Sequence, residues 1–213
     1  LMALPSNKLI TINDRGARAA TTFGSLSAGG ANMVFIKKLT ASSSATLSFV
    51  DGADSVVLDD TYKEYVFTFN NIHPETDDKS LTLNFSIDGG SNYNVAKTTT
   101  FFYAYHDESD NTPSIDYNSG KDLAQGTGEQ FFILGIGNDN DQSGSGTLHL
   151  FNPSSTTFVK HFIANTHSYE STNNAQNCFV AGYANTTSAV NAVQFKMNSG
   201  SIASGDICLY GIL

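Results

Sequence analysis

The chain predicts an antiparallel all-β sandwich of the jelly-roll kind, and three observations carry that expectation. Apolar and polar residues alternate with period two through most of its 213 residues. Helical spacing of apolar residues, at i, i+3, i+4 and i+7, is nearly absent. Short polar segments bearing Gly, Pro, Asn and Asp separate runs of strand length, about eight to eleven of them.

Strand candidates run over 33–40, 45–50, 64–70, 81–87, 97–105, 130–136, 146–151, 157–164, 177–183, 191–197 and 206–212. In the third, Tyr65, Phe67 and Phe69 point one way while Val66 and Thr68 point the other. In the fourth, Leu81, Leu83, Phe85 and Ile87 alternate with Thr82, Asn84 and Ser86. Asp88-Gly89-Gly90-Ser91 follows with hairpin-turn chemistry, since glycine takes the positive φ that tight turns need. Thr-rich and aromatic residues 97–105 return as a strand, and 106–129 is the one long connection without a strand pattern. Leu148 and Leu150 lead into Asn152-Pro153-Ser154-Ser155, where Pro presets φ and Asn caps a turn, and Phe158 opens the partner strand. Residues 191–212 place two alternating runs around a Gly/Ser hinge, and the last run is expected to be tied into a sheet.

Two parts are expected: an N-terminal arm over 1–30 and a β-sandwich body over 31–213. The arm is rich in Gly, Ala and Ser, with few large apolar residues. It holds Lys8, Arg15 and Arg18 against Asp14, a charge of +2, which leaves −11 of the net −9 for the remainder. Arg15 and Arg18 are the chain's only arginines. A basic arm on an acidic body has the character of an attachment segment for a neighbouring subunit, and Lys8, Arg15 and Arg18 are its anchoring candidates. The acidic body disfavours nucleic acid, whose phosphates it would repel. No stretch reaches the roughly 18 apolar residues of a membrane helix, and no signal-peptide core opens the sequence, so neither membrane insertion nor ordinary secretion is expected. Two cysteines, Cys178 and Cys208, cannot make a disulfide framework and read as small buried thiols.

Two stretches carry a family resemblance: LHLFNPSSTTFVKHF at 148–162 and SGSIASGDICLYGI at 199–212. Together they resemble β-sandwich virion structural proteins of tailed bacteriophages, especially marine ones, which end in a Ser-Gly-x-Ile-x-x-Gly strand-turn-strand closing on Leu-Tyr-Gly-Ile. The resemblance covers roughly residues 33–213. It implies a non-enzymatic place on the particle exterior, as capsid decoration, head fibre or tail-fibre component. Its partners would be itself, as a homotrimer, and other virion proteins, and it would be assembled in the bacterial host cytoplasm. No active-site residues are implied.

Several polar constellations in the sequence bear on binding and catalysis. Asp139, Asp141 and Ser143, followed by Gly144, resemble the first half of a calcium loop, but the distal bidentate Glu is missing and Leu150 stands there. The acidic groups Asp51, Asp54, Asp59 and Asp60, and Asp107, Glu108 and Asp110, lie in turn-like sequence. Nothing there suggests the apolar pocket that tunes a carboxylate for general acid work. His149 and His161 would face each other if their strands form a hairpin centred near Ser155. No metal, no cofactor and no catalytic residue is expected. The alternative role is a receptor- or carbohydrate-binding module for a host-surface glycan. Tyr103, Tyr105 and Tyr117 are its candidate contacts, with Tyr169 and Tyr183 also near Asn- and Asp-rich loops.

Overall fold

The computed structural model describes residues 32–213, which form one unit, Asn32–Leu213. The proposed arm, with Lys8, Arg15 and Arg18, lies outside the described residues. Twelve strands make up the body: β1 Met33–Thr40, β2 Leu47–Val50, β3 Glu64–Pro74, β4 Lys79–Ser86, β5 Lys97–Asp107, β6 Ser114–Tyr117, β7 Gln130–Ile136, β8 Gly144–Phe151, β9 Lys160–Tyr169, β10 Asn174–Ala184, β11 Ala192–Met197 and β12 Ile202–Ile212. They pair antiparallel in two sheets. The larger runs β1-β12-β3-β8-β9-β10-β5-β6 and the smaller β2-β11-β4-β7.

The inner faces meet over the alternating residues that the sequence marks as apolar. Tyr65, Phe67 and Phe69 of β3, Leu148 and Leu150 of β8, Phe162 of β9 and Leu209 of β12 are all fully buried. Phe49, Leu83, Phe85, Phe132 and Phe195 face them from the smaller sheet. Phe195 is the hub, with ring centroids 5.3 Å from Phe67, 5.1 Å from Phe69, 5.9 Å from Phe132 and 6.2 Å from Phe49. Burying such a ring is worth about 1.5–3 kcal/mol, so this cluster is a main source of cohesion between the layers.

Four expectations change in the structure. The Asp88-Gly89-Gly90 turn does not close a hairpin, because β4 belongs to the smaller sheet and β5 to the larger. Gly89 and Gly90 do have φ of 70° and 82°, and the Ser86 hydroxyl accepts from Gly90 N–H, so the turn re-aims the chain between layers. The C-terminal stretch is also no hairpin. Strands β11 and β12 lie in different sheets, and 202–212 is one bent strand. Its bend falls at Gly205 (φ 117°), where the register with β3 shifts opposite Asn71 (φ 51°). Strand β9 begins at Lys160 instead of 157, because the Ser155 hydroxyl takes the N–H groups of Thr157 and Phe158 and holds them out of the ladder. Finally, the long connection 106–129 contains the short strand β6, which pairs with Phe102–Tyr105 of β5.

Candidate functional site

Strands β5, β6, β9 and β10 extend the larger sheet beyond β8 as a four-stranded wing. Period two sends alternate residues of each to the outer face, away from the smaller sheet. Register sets them in rows: Tyr117, Phe102, Phe179 and Asn165 in one, Thr100, Ala181 and Ile163 in the next, and Thr98, Tyr183 and His161 in the third. Phe102 and Phe179 stack at 4.9 Å with an interplanar angle of 8°. Phe102 is 43% exposed, Tyr117 56%, Ile163 52% and Ile115 77%. These fractions matter because large apolar groups at such exposure, side by side, mark interaction surfaces.

The three candidate tyrosines do not share a face. Tyr103 and Tyr105 sit on the inner side of β5, stacked on each other at 5.8 Å, with Tyr103 packed against the core. Tyr117 pairs with Phe102 and stands on the outer face, its hydroxyl donating to Asp122 at 2.5 Å. Burial raises the Tyr103 phenol above its ordinary range.

The acidic groups are loop caps. Asp51 accepts from Leu58 N–H, Asp59 from Thr61 N–H, and Asp107 from Asn111 and Thr112 N–H. Hydrogen bonds from Thr61 hold Asp59 below the usual carboxylate range, and that from Asn111 does the same for Asp107. A general acid needs the opposite shift. Among the described carboxyls, burial raises that of Glu170, which accepts from Asn174.

In the 137–144 loop, Gln142 is buried and does the organising. Its side-chain oxygen accepts from Asp139 N–H at 3.1 Å and its amide donates to Glu170 O at 3.2 Å. The loop is therefore organised around the Gln142 amide, and no cluster of three or more His, Cys, Asp or Glu with metal-binding geometry occurs among the described residues. His149 faces Ile163, not His161, because the β8–β9 register is centred past Ser155. Its Nδ1 lies 2.6 Å from Glu64 Oε1, while His161 meets Tyr183 edge-on at 6.2 Å. Cys178 faces the core and Cys208 pairs with Thr68 on the opposite face of the same sheet, so both thiols are free. Burial pushes the Cys178 thiol up to about 12, far from a reactive thiolate.

Sequence reasoning missed the outer-face row. A signal for it was present in the doublets Phe101-Phe102, Phe162-Ile163 and Phe179-Val180, since adjacent apolar residues in a strand cannot both face one core. It also missed Lys97, fully buried, whose Nζ donates to Asn84 Oδ1 at 2.6 Å and Val95 O at 2.8 Å. No family model matches the chain, and no match is found among curated proteins or among solved structures.

Proposed function

We propose that this chain is a non-enzymatic assembly module, a structural protein on the exterior of a tailed-bacteriophage virion, acting as a homotrimer that also contacts other virion proteins. Capsid decoration, head fibre and tail-fibre component are the settings that the resemblance implies. The single observation that carries the reading is the apolar patch on the outer face of the wing, where exposed Phe102, Tyr117 and Ile115 neighbour the half-buried Phe179.

Strand order supports the jelly-roll part of the proposal. With β5, β6, β9 and β10 set aside, β1-β12-β3-β8 lies over β2-β11-β4-β7, and consecutive strands change sheets at every step except from β4 to β7, which are neighbours in the smaller sheet. That wrapping is the habit of jelly rolls, an architecture used by viral capsid and lectin domains. The wing is then two insertions, β5–β6 and β9–β10, that pair with each other along Lys97–Asp107 and Asn174–Ala184.

Light scattering coupled to size exclusion tests the proposal. The expected result is a mass three times 22.8 kDa, with conversion to monomer in the double variant Phe102→Glu, Ile115→Glu. A wild-type monomer, or a trimer indifferent to both substitutions, would overturn the wing as its interface.

A further inference from the structure

The wing also carries a depression of about 420 Å³, lined on its outer face by Thr98, Thr100, His161, Ile163, Ala181 and Tyr183. We propose that it is a binding site for a neutral saccharide. The volume lies within the roughly 300–1,000 Å³ of small-ligand sites. Its floor is low because the central strand contributes only a methyl group, Ala181, between the rings of Phe179 and Tyr183 on the same strand. Strand register sets Thr98 and His161 on either side of Tyr183, and Thr100 and Ile163 on either side of Ala181.

The lining selects the ligand class by what it offers and what it withholds. No carboxylate, lysine or arginine lines it, so a charged ligand would lose its hydration shell and gain no counter-charge. The residues beyond the proposed arm carry −11, which further disfavours anions. A purely apolar ligand would cover polar groups without satisfying them. Among the described residues, neither the Tyr183 hydroxyl nor the His161 ring has a hydrogen-bond partner, and Thr100 Oγ1 reaches only Ala181 O, at a long 3.4 Å. Thr98 Oγ1 accepts from Gln125 Nε2 at 2.8 Å and keeps its own proton to donate. An uncharged ring with one apolar face and several hydroxyls meets all of these demands. Its apolar face would lie on Ile163, Ala181 and the Tyr183 ring, and its hydroxyls would reach the two threonines, the phenol and the imidazole. The site is shallow and open, so affinity per site is on the order of 1 mM, strengthened in any oligomer by multivalency.

The test is a glycan array carrying neutral hexose and N-acetylhexosamine oligosaccharides beside sialylated ones, probed with the full chain. Hits are followed by saturation-transfer NMR. Neutral oligosaccharides are expected to bind, with about tenfold weaker retention in both Tyr183→Ala and Ala181→Glu. Phe102→Glu, one row away, should leave the per-site affinity read by saturation-transfer NMR unchanged even where it dissolves the trimer and with it the avidity on the array, which keeps this result separate from the assembly reading. Absence of any neutral hit at about 10 mM, capture of sialylated glycans alone, or binding by both depression variants as strong as that of the wild type would each overturn the proposal.

Discussion

Lys97 is the residue whose environment makes the sharpest demand. It occupies a core-facing position of β5, and its ammonium is met by an amide oxygen and a backbone carbonyl, with no carboxylate in hydrogen-bond contact. Burial lowers its pKa to about 8, against the weaker opposing pull of Glu129, which is itself paired with Lys196. Between that value and the ordinary lysine range the unfolded chain holds a proton that the folded chain has released. The contribution of Lys97 to stability therefore rises with pH across this window, and comparison with a variant that lacks the amine isolates it from the opposing buried thiol of Cys178. Chemical denaturation from pH 7 to 10 should show the wild type gaining on Lys97→Met. A constant difference between the two would mean that the ammonium is better solvated than its contacts indicate. The same logic separates Lys97 from the carboxylates Asp59 and Asp107. Their hydrogen bonds to backbone N–H groups favour the charged form, so they stabilise loops at neutral pH instead of offering acid chemistry.

At the level of single elements, β12 shows how a local rule bends a strand without breaking it. Gly205 sits at φ 117°, and a Cβ there would lie 2.6 Å from Asn71 O and 2.8 Å from Ile72 Cα. Backbone atoms cannot rotate aside as a side chain can. Gly205→Ala should therefore lower stability by about 2 kcal/mol or more in urea denaturation, from strain and from the shifted β3–β12 register. An unchanged midpoint would show that the bend relaxes freely. All eleven expected strands have an observed counterpart, because runs such as Tyr65-Phe67-Phe69 and Leu81-Leu83-Phe85 alternate clearly. Partner choice was not legible: Asp88-Gly89-Gly90 has the chemistry of a hairpin, yet joins two layers. Turn residues fix local φ, whereas the layer that receives the next strand depends on contacts far along the chain. Strand β6 escaped because its four residues, Ser114–Tyr117, expose most of their surface and carry no alternation. The separation of the candidate tyrosines between two faces was hidden for a similar reason. Tyr103, Tyr105 and Tyr117 read as one aromatic group in sequence, but strand parity sends the first two inward, while the stacked partners Phe102 and Phe179 stand 77 positions apart.

On the scale of the whole molecule, the body divides its labour. The region where the two sheets overlap supplies cohesion, through rings that converge on Phe195. The wing supplies surface, through side chains that the inner layer does not need. Under the proposed function, assembly and ligand recognition then occupy neighbouring rows of one face, and substitutions can address them separately. Among the described residues no buried side-chain polar atom is left without a partner, so the core places no unmet polar group in competition with that face.

The pairing of β5 with β10 also sets a timetable. Strand β5 ends at Asp107, and the strand that must cover its edge begins only at Asn174. A chain emerging from its N-terminus holds that edge open while the intervening segments are made, whereas β9 and β10 follow one another and close locally. The β9–β10 hairpin can form on β8 first, and β5 must wait for it. Pulse-labelled hydrogen exchange during refolding should find the amides of Phe101–Tyr105 protected no earlier than those of Phe162–Thr166. Earlier protection of β5 would reverse that order. The face that gives this protein its surface is thus left with an open margin until β10 arrives, and until then an aromatic edge is offered to whatever chain is nearest.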